Sequence, residues 1–463
     1  MDAVRTDPES PSTSRAPAPV RHRHRKPKAM SAAARRALVL AATAPVAGAV
    51  LAGPSSAFAA DKSTAAAATV PDAAVPVDDA DSTMAAKLAE RVNNPSLAGD
   101  GTLSGVVLDS ASDKVIWGHN ASTALMPASN AKLATATAAL NELGPEARFT
   151  TKVVYSNGTL TLIGDGDRTL SGDDLGEMAQ TAVDGLKAAG VTNVKVAIDD
   201  SLFPEPTMAE GWRPDYYDDQ ISPVRALSVD GKLSADTALD AGKVFAAKLA
   251  DRGVTVDGDV TRGKAGTGDV PVAQKLSPTV AELIRTMLKH SDNDMAETLL
   301  RKTALKAGQP ATFEGGTAAV RQVLGERYGI PLDNVVLHDG SGLSRATRIP
   351  AATIAAILDN ATEPRNQYVL GPILDGLPVA GEAGSTLGPE YARFDDPNSK
   401  CAVNKVRAKT GTLTGAVALS GLTQGKDGRW KVFSFVENNS TAKTSEITDA
   451  MDGLAATVNG CWA

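Results

Sequence analysis

Three short segments carry residue types that together could perform acyl transfer: Pro127-Ala128-Ser129-Asn130-Ala131-Lys132, then Ser291-Asp292-Asn293, then Lys409-Thr410-Gly411-Thr412. A serine hydroxyl attacks a carbonyl efficiently only when a base takes its proton. Residues three apart on a helix share a face, so Lys132 can reach Ser129 and serve as that base once its charged form is disfavoured. Burial would do this, and so would a neighbouring cation such as Lys409. Ser291 and Asn293 add a hydroxyl and an amide, while Lys409, Thr410, Gly411 and Thr412 set a cation beside backbone donors, which suits a carboxylate. Each segment alone has an ordinary explanation. Ser-x-x-Lys arises by chance on the order of once in a chain of this length. Ser291-Asp292-Asn293 could simply cap a helix, and Lys409 could be an exposed strand lysine. Their occurrence in this order, each on an element suited to its task, points to a single site.

The elements around them follow from pattern. The alanine- and leucine-rich stretch from Ser129 to Leu143, bounded by Pro127 and by Gly144-Pro145, predicts a helix with Ser129 at its N-terminus, where free N–H groups face developing negative charge. Ser277-Pro278 predicts an N-cap and first-turn pair for a helix ending at His290, with Ser291 to Asn293 at the junction to a second helix from Met295 to Leu305. Val406 to Thr410, Ala416 to Leu422 and Trp430 to Val436 read as three strands of an antiparallel meander, followed by a helix from Ser445 to Val458. Ser104 to Leu108 and Lys114 to Trp117 read as a hairpin. Between Lys132 and Ser291 the character changes: a turn at Asn157-Gly158, helices at Leu175 to Ala189 and Thr237 to Leu249, and a strand at Val194 to Ile198. This predicts an inserted α/β domain, because it separates elements that must reunite to build one site.

The chain has 463 residues, 43% of them apolar, enough for two or three domains. Its first part reads as an export signal. A long basic run (Arg21-His22-Arg23-His24-Arg25-Lys26, Lys28) and Arg35-Arg36 precede an uncharged stretch from Ala37 to Ala59 that ends in Ala57-Phe58-Ala59. Pro45 and Gly48 interrupt that stretch, which disfavours a stable membrane span; an uncleaved signal would retain the chain at the membrane. No cysteine stands directly after the signal, which excludes a lipoprotein. Removing residues 1–59 takes nine of the 47 Lys and Arg and three of the 54 Asp and Glu, leaving 38 basic against 51 acidic side chains. That balance argues against nucleic acid as a partner, since phosphate binding needs a basic surface. Residues 60–83 read as a flexible tether with order beginning near Met84. The two cysteines, Cys401 and Cys461, suit a disulfide in an exported chain, with two free buried thiols as the alternative. His119, His290 and His338 are scattered, and Gly164-Asp165-Gly166-Asp167 lacks the later glycine and glutamate of a calcium loop, so no metal and no cofactor are expected.

The ordered motifs resemble the D-alanyl-D-alanine carboxypeptidase/endopeptidase type of penicillin-binding protein, within the serine β-lactamase and penicillin-binding superfamily. The chain is also similar at Gly164 to Leu170, at Trp212, Tyr216 and Ala226-Leu227, at Asp339-Gly340-Ser341-Gly342-Leu343-Ser344-Arg345, and at Leu377 to Gly381. The 162 positions from Ser129 to Ser291 fit this group, because class A β-lactamases keep the motifs closer together. The resemblance implies an α/β (α+β) fold in which an antiparallel sheet flanked by helices forms one catalytic domain, residues 84–149 and 275–463, interrupted by the smaller domain at 150–274. It implies Ser129 as nucleophile on the D-Ala-D-Ala bond of a peptidoglycan stem peptide and Lys132 as base. Ser291 and Lys409 would pass a proton to the leaving group, and Asn293 would orient Lys132 and the substrate amide. Lys409, Thr410 and Thr412 would hold the terminal carboxylate, and the N–H groups of Ser129 and Thr412 would form the oxyanion hole. β-Lactams would be covalent inhibitors, and the protein would work in the extracytoplasmic envelope. A β-lactamase and a noncatalytic wall-binding or penicillin-sensing protein are the competing readings. The first is disfavoured by the want of a clear deacylating glutamate loop, the second by the intact motif residues.

Overall fold

The structure is a computed structural model that describes residues 79–99 and 101–462. The export signal and residues 60–78 of the expected tether lie outside the described residues. Residues 79–83 are not tether: they begin the helix Asp79–Arg91, whose acidic first turn and basic last turn match the helix dipole. The early start has a tertiary cause. Asp81 is buried, and its carboxylate lies 2.7 Å from Lys431 Nζ and 2.8 Å from Arg429 Nη2. Lys431 Nζ also meets Asp109 and Asp427, each at 2.8 Å, so the one place among the described residues where three carboxylates converge is already occupied by the Lys431 ammonium and the Arg429 guanidinium, which pair with all three.

The main sheet has five antiparallel strands, in the spatial order Arg407–Leu413, Ala416–Gln424, Trp430–Asn438, Thr102–Asp109 and Lys114–His119. Alternate side chains go to opposite faces of a strand, and here both faces are covered. Val106, Ala418, Leu422, Val432 and Val436 join the core built on the helices Ala131–Leu143, Val280–His290 and Ala351–Thr362. Their neighbours Val107, Val417, Leu419, Phe433 and Phe435 join a second core with the helices Asp79–Arg91 and Thr444–Asn459.

Residues 150–276 form a second sheet with a core of their own. Thr150–Ser156 pairs antiparallel with Thr159–Ile163 and with Val270–Leu276, and Thr159–Ile163 pairs parallel with Asn193–Asp199. Asn157 and Gly158 make the hairpin turn with φ of 47° and 84°, the conformation such two-residue turns demand. The helices Gly172–Ala188 and Thr237–Ala250 supply Leu175, Val183 and Phe245 to a core with Val153, Leu160, Val196 and Val272. The chain enters and leaves this sheet through one neck, where Phe149 N–H donates to Ser277 Oγ and Ser277 N–H donates to the Phe149 carbonyl, both at 2.9 Å. Ser277 is therefore the clasp of the neck and not the expected helix cap. The next helix runs Val280–His290 and is capped by Thr279, with Glu282 completing a capping box.

Candidate active site

Ser129 lies in a tight 3-10 turn, Ala128–Asn130, that leads into the helix Ala131–Leu143. The turn is clamped between two glycines. Ala128 has φ +47°, and a β-carbon on Gly342 would stand 1.9 Å from the Ala128 carbonyl oxygen. On the other side, a β-carbon on Gly411 would stand 2.8 Å from both the Pro127 oxygen and Asn130 Nδ2. The nucleophile turn thus fits against the strand Arg407–Leu413 only because position 411 has no side chain.

Lys132 is fully buried and has three oxygen neighbours: Ser129 Oγ at 2.9 Å, Asn293 Oδ1 at 2.7 Å and the Ser341 carbonyl at 2.7 Å. Burial lowers its ionisation from 10.5 to about 8, against the opposing pull of Asp339, Glu297 and Asp292. An ammonium would donate to all three oxygens; the amine keeps two donors for Asn293 and Ser341 and turns its lone pair to the Ser129 hydroxyl. The second lysine, Lys409, is also fully buried. Its Nζ lies 2.9 Å from Ser291 Oγ and 2.8 Å from the Thr410 carbonyl, and burial, then Lys132 and Arg393, hold its ionisation well below the ordinary lysine value.

Ser291 sits at the end of the helix Val280–His290 with φ +59°, and Asp292 caps the helix Asn293–Lys306 by accepting from Met295 N–H. This abrupt joint turns the Ser291 hydroxyl toward Lys409 and the Asn293 amide toward Lys132. Asn293 Nδ2 donates to the Gln220 carbonyl at 3.0 Å, so a loop of the 150–276 region touches the site. Thr410 Oγ1 is 2.9 Å from Thr386 Oγ1, and the exposed Thr412 lines a cleft together with Gln220 and Tyr216. Ser129, Lys132, Ser291, Asn293 and Lys409 therefore converge, with Gly411 packed beneath Ser129 and Thr410 and Thr412 along the adjoining edge strand. Cys401 and Cys461, in another part of the molecule, are joined as a disulfide with a Cα separation of 5.7 Å.

Two residues outside the three motifs shape the site: Asp339, in the stretch named above only for its resemblance, and Glu297, which no sequence motif contains. Asp339 accepts from Trp212 Nε1 at 2.8 Å and from Ser344 N–H at 2.7 Å, and the turn it anchors delivers the Ser341 carbonyl to Lys132. Glu297 holds the same turn from behind. Its one legible signal is spacing, four residues after Asn293 on the same helix face.

A half-buried serine paired with a fully buried lysine at the head of a helix, set against the edge strand of an antiparallel sheet, defines an active-serine fold of the β-lactamase and penicillin-binding kind. The chain belongs to the D-Ala-D-Ala carboxypeptidase 3 (S13) family, whose profile matches residues 84–233 and 231–458. It is 34% identical over 423 residues to the carboxypeptidase DacB of Mycolicibacterium smegmatis, covering 85% of this chain and 88% of that one. It is 29% identical over 445 residues to a D-alanyl-D-alanine carboxypeptidase of Actinomadura sp., covering 75% and 79%. Among solved structures, penicillin binding protein 4 of Haemophilus influenzae shares the fold, with a TM-score of 0.66, 22% identity, and coverage of 80% of this chain and 98% of that one.

Proposed function

We propose that this chain is a serine D-Ala-D-Ala carboxypeptidase that trims peptidoglycan stem peptides through an acyl-enzyme and cleaves cross-links where the same bond carries more beyond it. The observation that carries the reading is the 2.9 Å contact between Ser129 Oγ and the desolvated Lys132 Nζ. Family membership and the names of the relatives support the substrate class.

In this reading the terminal carboxylate docks on Lys409, Thr410 and Thr412. Ser129 Oγ attacks the penultimate D-alanine carbonyl as its proton passes to Lys132. The oxyanion gathers donors from the N–H groups of Ser129 and Thr412, a device worth roughly 3 to 4 kcal/mol per donor. Ser291 hands its hydroxyl proton to the departing amine and is reprotonated by the Lys409 ammonium; water then hydrolyses the ester, its proton restoring Lys409 while Ser129 recovers its own from Lys132. The work would take place outside the cytoplasm, after export directed by residues 1–59, with the 150–276 region as a separate domain and the Cys401–Cys461 bridge formed in an oxidising compartment.

Intact mass after incubating residues 60–463 with benzylpenicillin, alongside Ser129→Ala, tests the reading. A persistent adduct of the whole drug on the wild type and none on the variant is expected. Rapid drug turnover with no adduct would make the protein a β-lactamase; neither adduct nor turnover would make it noncatalytic.

A further inference from the structure

We infer that Glu297 is a positioning residue for acylation: its carboxylate grips the backbone N–H groups of Gly340 and Ser341 and so aims the Ser341 carbonyl at the Lys132 nitrogen. The inference rests on the reading of Ser129 and Lys132 as nucleophile and base. Glu297 is fully buried in the helix Asn293–Lys306, one turn beyond Asn293. Its Oε1 accepts from Ser341 N–H at 2.7 Å and from Gly340 N–H at 3.0 Å, and its Oε2 lies 3.1 Å from the same Gly340 nitrogen. The Ser341 carbonyl, on the same residue, stands 2.7 Å from Lys132 Nζ. The helix that carries Lys132 closes the other end of the turn, where Thr135 Oγ1 donates to the Gly340 carbonyl at 2.7 Å.

The helix Asn293–Lys306 thus directs two of the three oxygens around Lys132: Asn293 Oδ1 outright and the Ser341 carbonyl through Glu297. Fixing both leaves the amine lone pair only the Ser129 direction. An ordinary core residue at position 297 could fill the space, but it could neither accept two backbone donors nor place a negative charge behind the base.

That charge also bears on the base. Glu297 is faced by Asp339 from the turn, by Arg301 on its own helix, by Lys132 on the nucleophile helix and by Tyr217 from the 150–276 region. Arg301 in turn feels Glu314 and Tyr217, and Lys132 feels Asp292 and Lys409. Burial first, then Asp339, raises the Glu297 carboxyl to about 7, close to the value of about 8 for Lys132, so the two take up protons over overlapping pH ranges.

The test is the pH profile of benzylpenicillin acylation for wild type, Glu297→Gln and Glu297→Asp, each followed by intact mass. In Glu297→Gln the amide nitrogen faces the Gly340 N–H, donor against donor, and the negative charge is gone. Acylation should slow at every pH, and the acid limb should move down by on the order of one pH unit, because Lys132 loses a partner that favours its ammonium. Glu297→Asp keeps the charge and should slow acylation with the limb in place. A purely structural role would lower all rates of Glu297→Gln by one factor with the limb unmoved, and that outcome overturns the inference. Should neither variant fold, the wild type decides: its limb should be steeper than one ionisation, and a limb that fits a single proton overturns the inference. Absence of any adduct on the wild type would instead overturn the functional reading beneath it.

Discussion

At the residue scale the chemistry turns on how much of Lys132 is amine. Removing the side chain from water disfavours its ammonium more strongly than Asp339, Glu297 and Asp292 favour it, which leaves the ionisation at about 8. The sign follows directly: the amine is the working form, it grows as pH rises through that value, and acylation should climb with it. The second-order rate of benzylpenicillin acylation should rise steeply up to about pH 8 and level off above it. A profile still climbing to the ordinary lysine value of 10.5 would show that burial does not prepare the base. Ser129, Lys132, Ser291, Asn293 and Lys409 were legible in the sequence because the reaction needs those side-chain types at those intervals. Glu297 and the Ser341 carbonyl were not, because one acts through backbone N–H groups and the other is itself backbone. Neither leaves a mark beyond helical spacing and a glycine-rich turn.

At the element scale the site depends on how closely backbone meets backbone. Gly342 has φ +80°, and its missing β-carbon would fall 1.9 Å from the Ala128 oxygen in the turn that carries Ser129. Gly428 has a similar φ of +75° with nothing within 4 Å of its β position. Both alanine variants bear the left-handed backbone, about 1 kcal/mol, but Gly342→Ala must also push two turns apart and should lose about 3 kcal/mol in all. Chemical denaturation checks the pair, and Gly342→Ala alone should slow acylation. Equal losses would mean that the two turns have room to separate. The same dependence on tertiary contact explains which elements local pattern reveals. The C-terminal meander and helix follow from local pattern and match Arg407–Leu413, Ala416–Gln424, Trp430–Asn438 and Thr444–Asn459. The helix Gly172–Ala188 begins before its first apolar residue, Leu175, because Ser171 and Asp174 form a capping box ahead of the apolar pattern. Ser277 imitates a cap in sequence, yet its hydroxyl is taken by Phe149 across the neck.

At the scale of the whole molecule, the 150–276 region is seated on the helix that carries Asn293 and Glu297. Besides the neck, Arg168 meets Asp294 at 3.2 Å, Ser222 N–H donates to the same carboxylate at 3.1 Å, and Lys302 pairs with Asp165 at 2.5 Å. The Arg168–Asp294 pair is the best shielded of these, with side-chain exposures of 7% and 12%, and Asp294 follows directly after the residue that orients Lys132. Burial already raises the Asp294 carboxyl above its ordinary value, with Arg168 opposing. Removing that cation leaves a desolvated carboxylate held by the backbone N–H and the hydroxyl of Ser222, and breaking such a pair costs about 3–5 kcal/mol, against at most about 1 for an exposed one. Arg168→Ala should therefore unfold at lower denaturant and acylate more slowly as the seat under Asn293 loosens. The loss should be pH-dependent with a definite sign: Asp294 is then pushed further up, so the deficit is largest at neutral pH and shrinks as acid protonates it. Adding Asp294→Asn to Arg168→Ala removes the unpaired charge and should recover most of the stability at neutral pH. A single-variant loss no larger than that of an exposed pair, or a deficit that does not change with pH, would show that the seat does not depend on this contact.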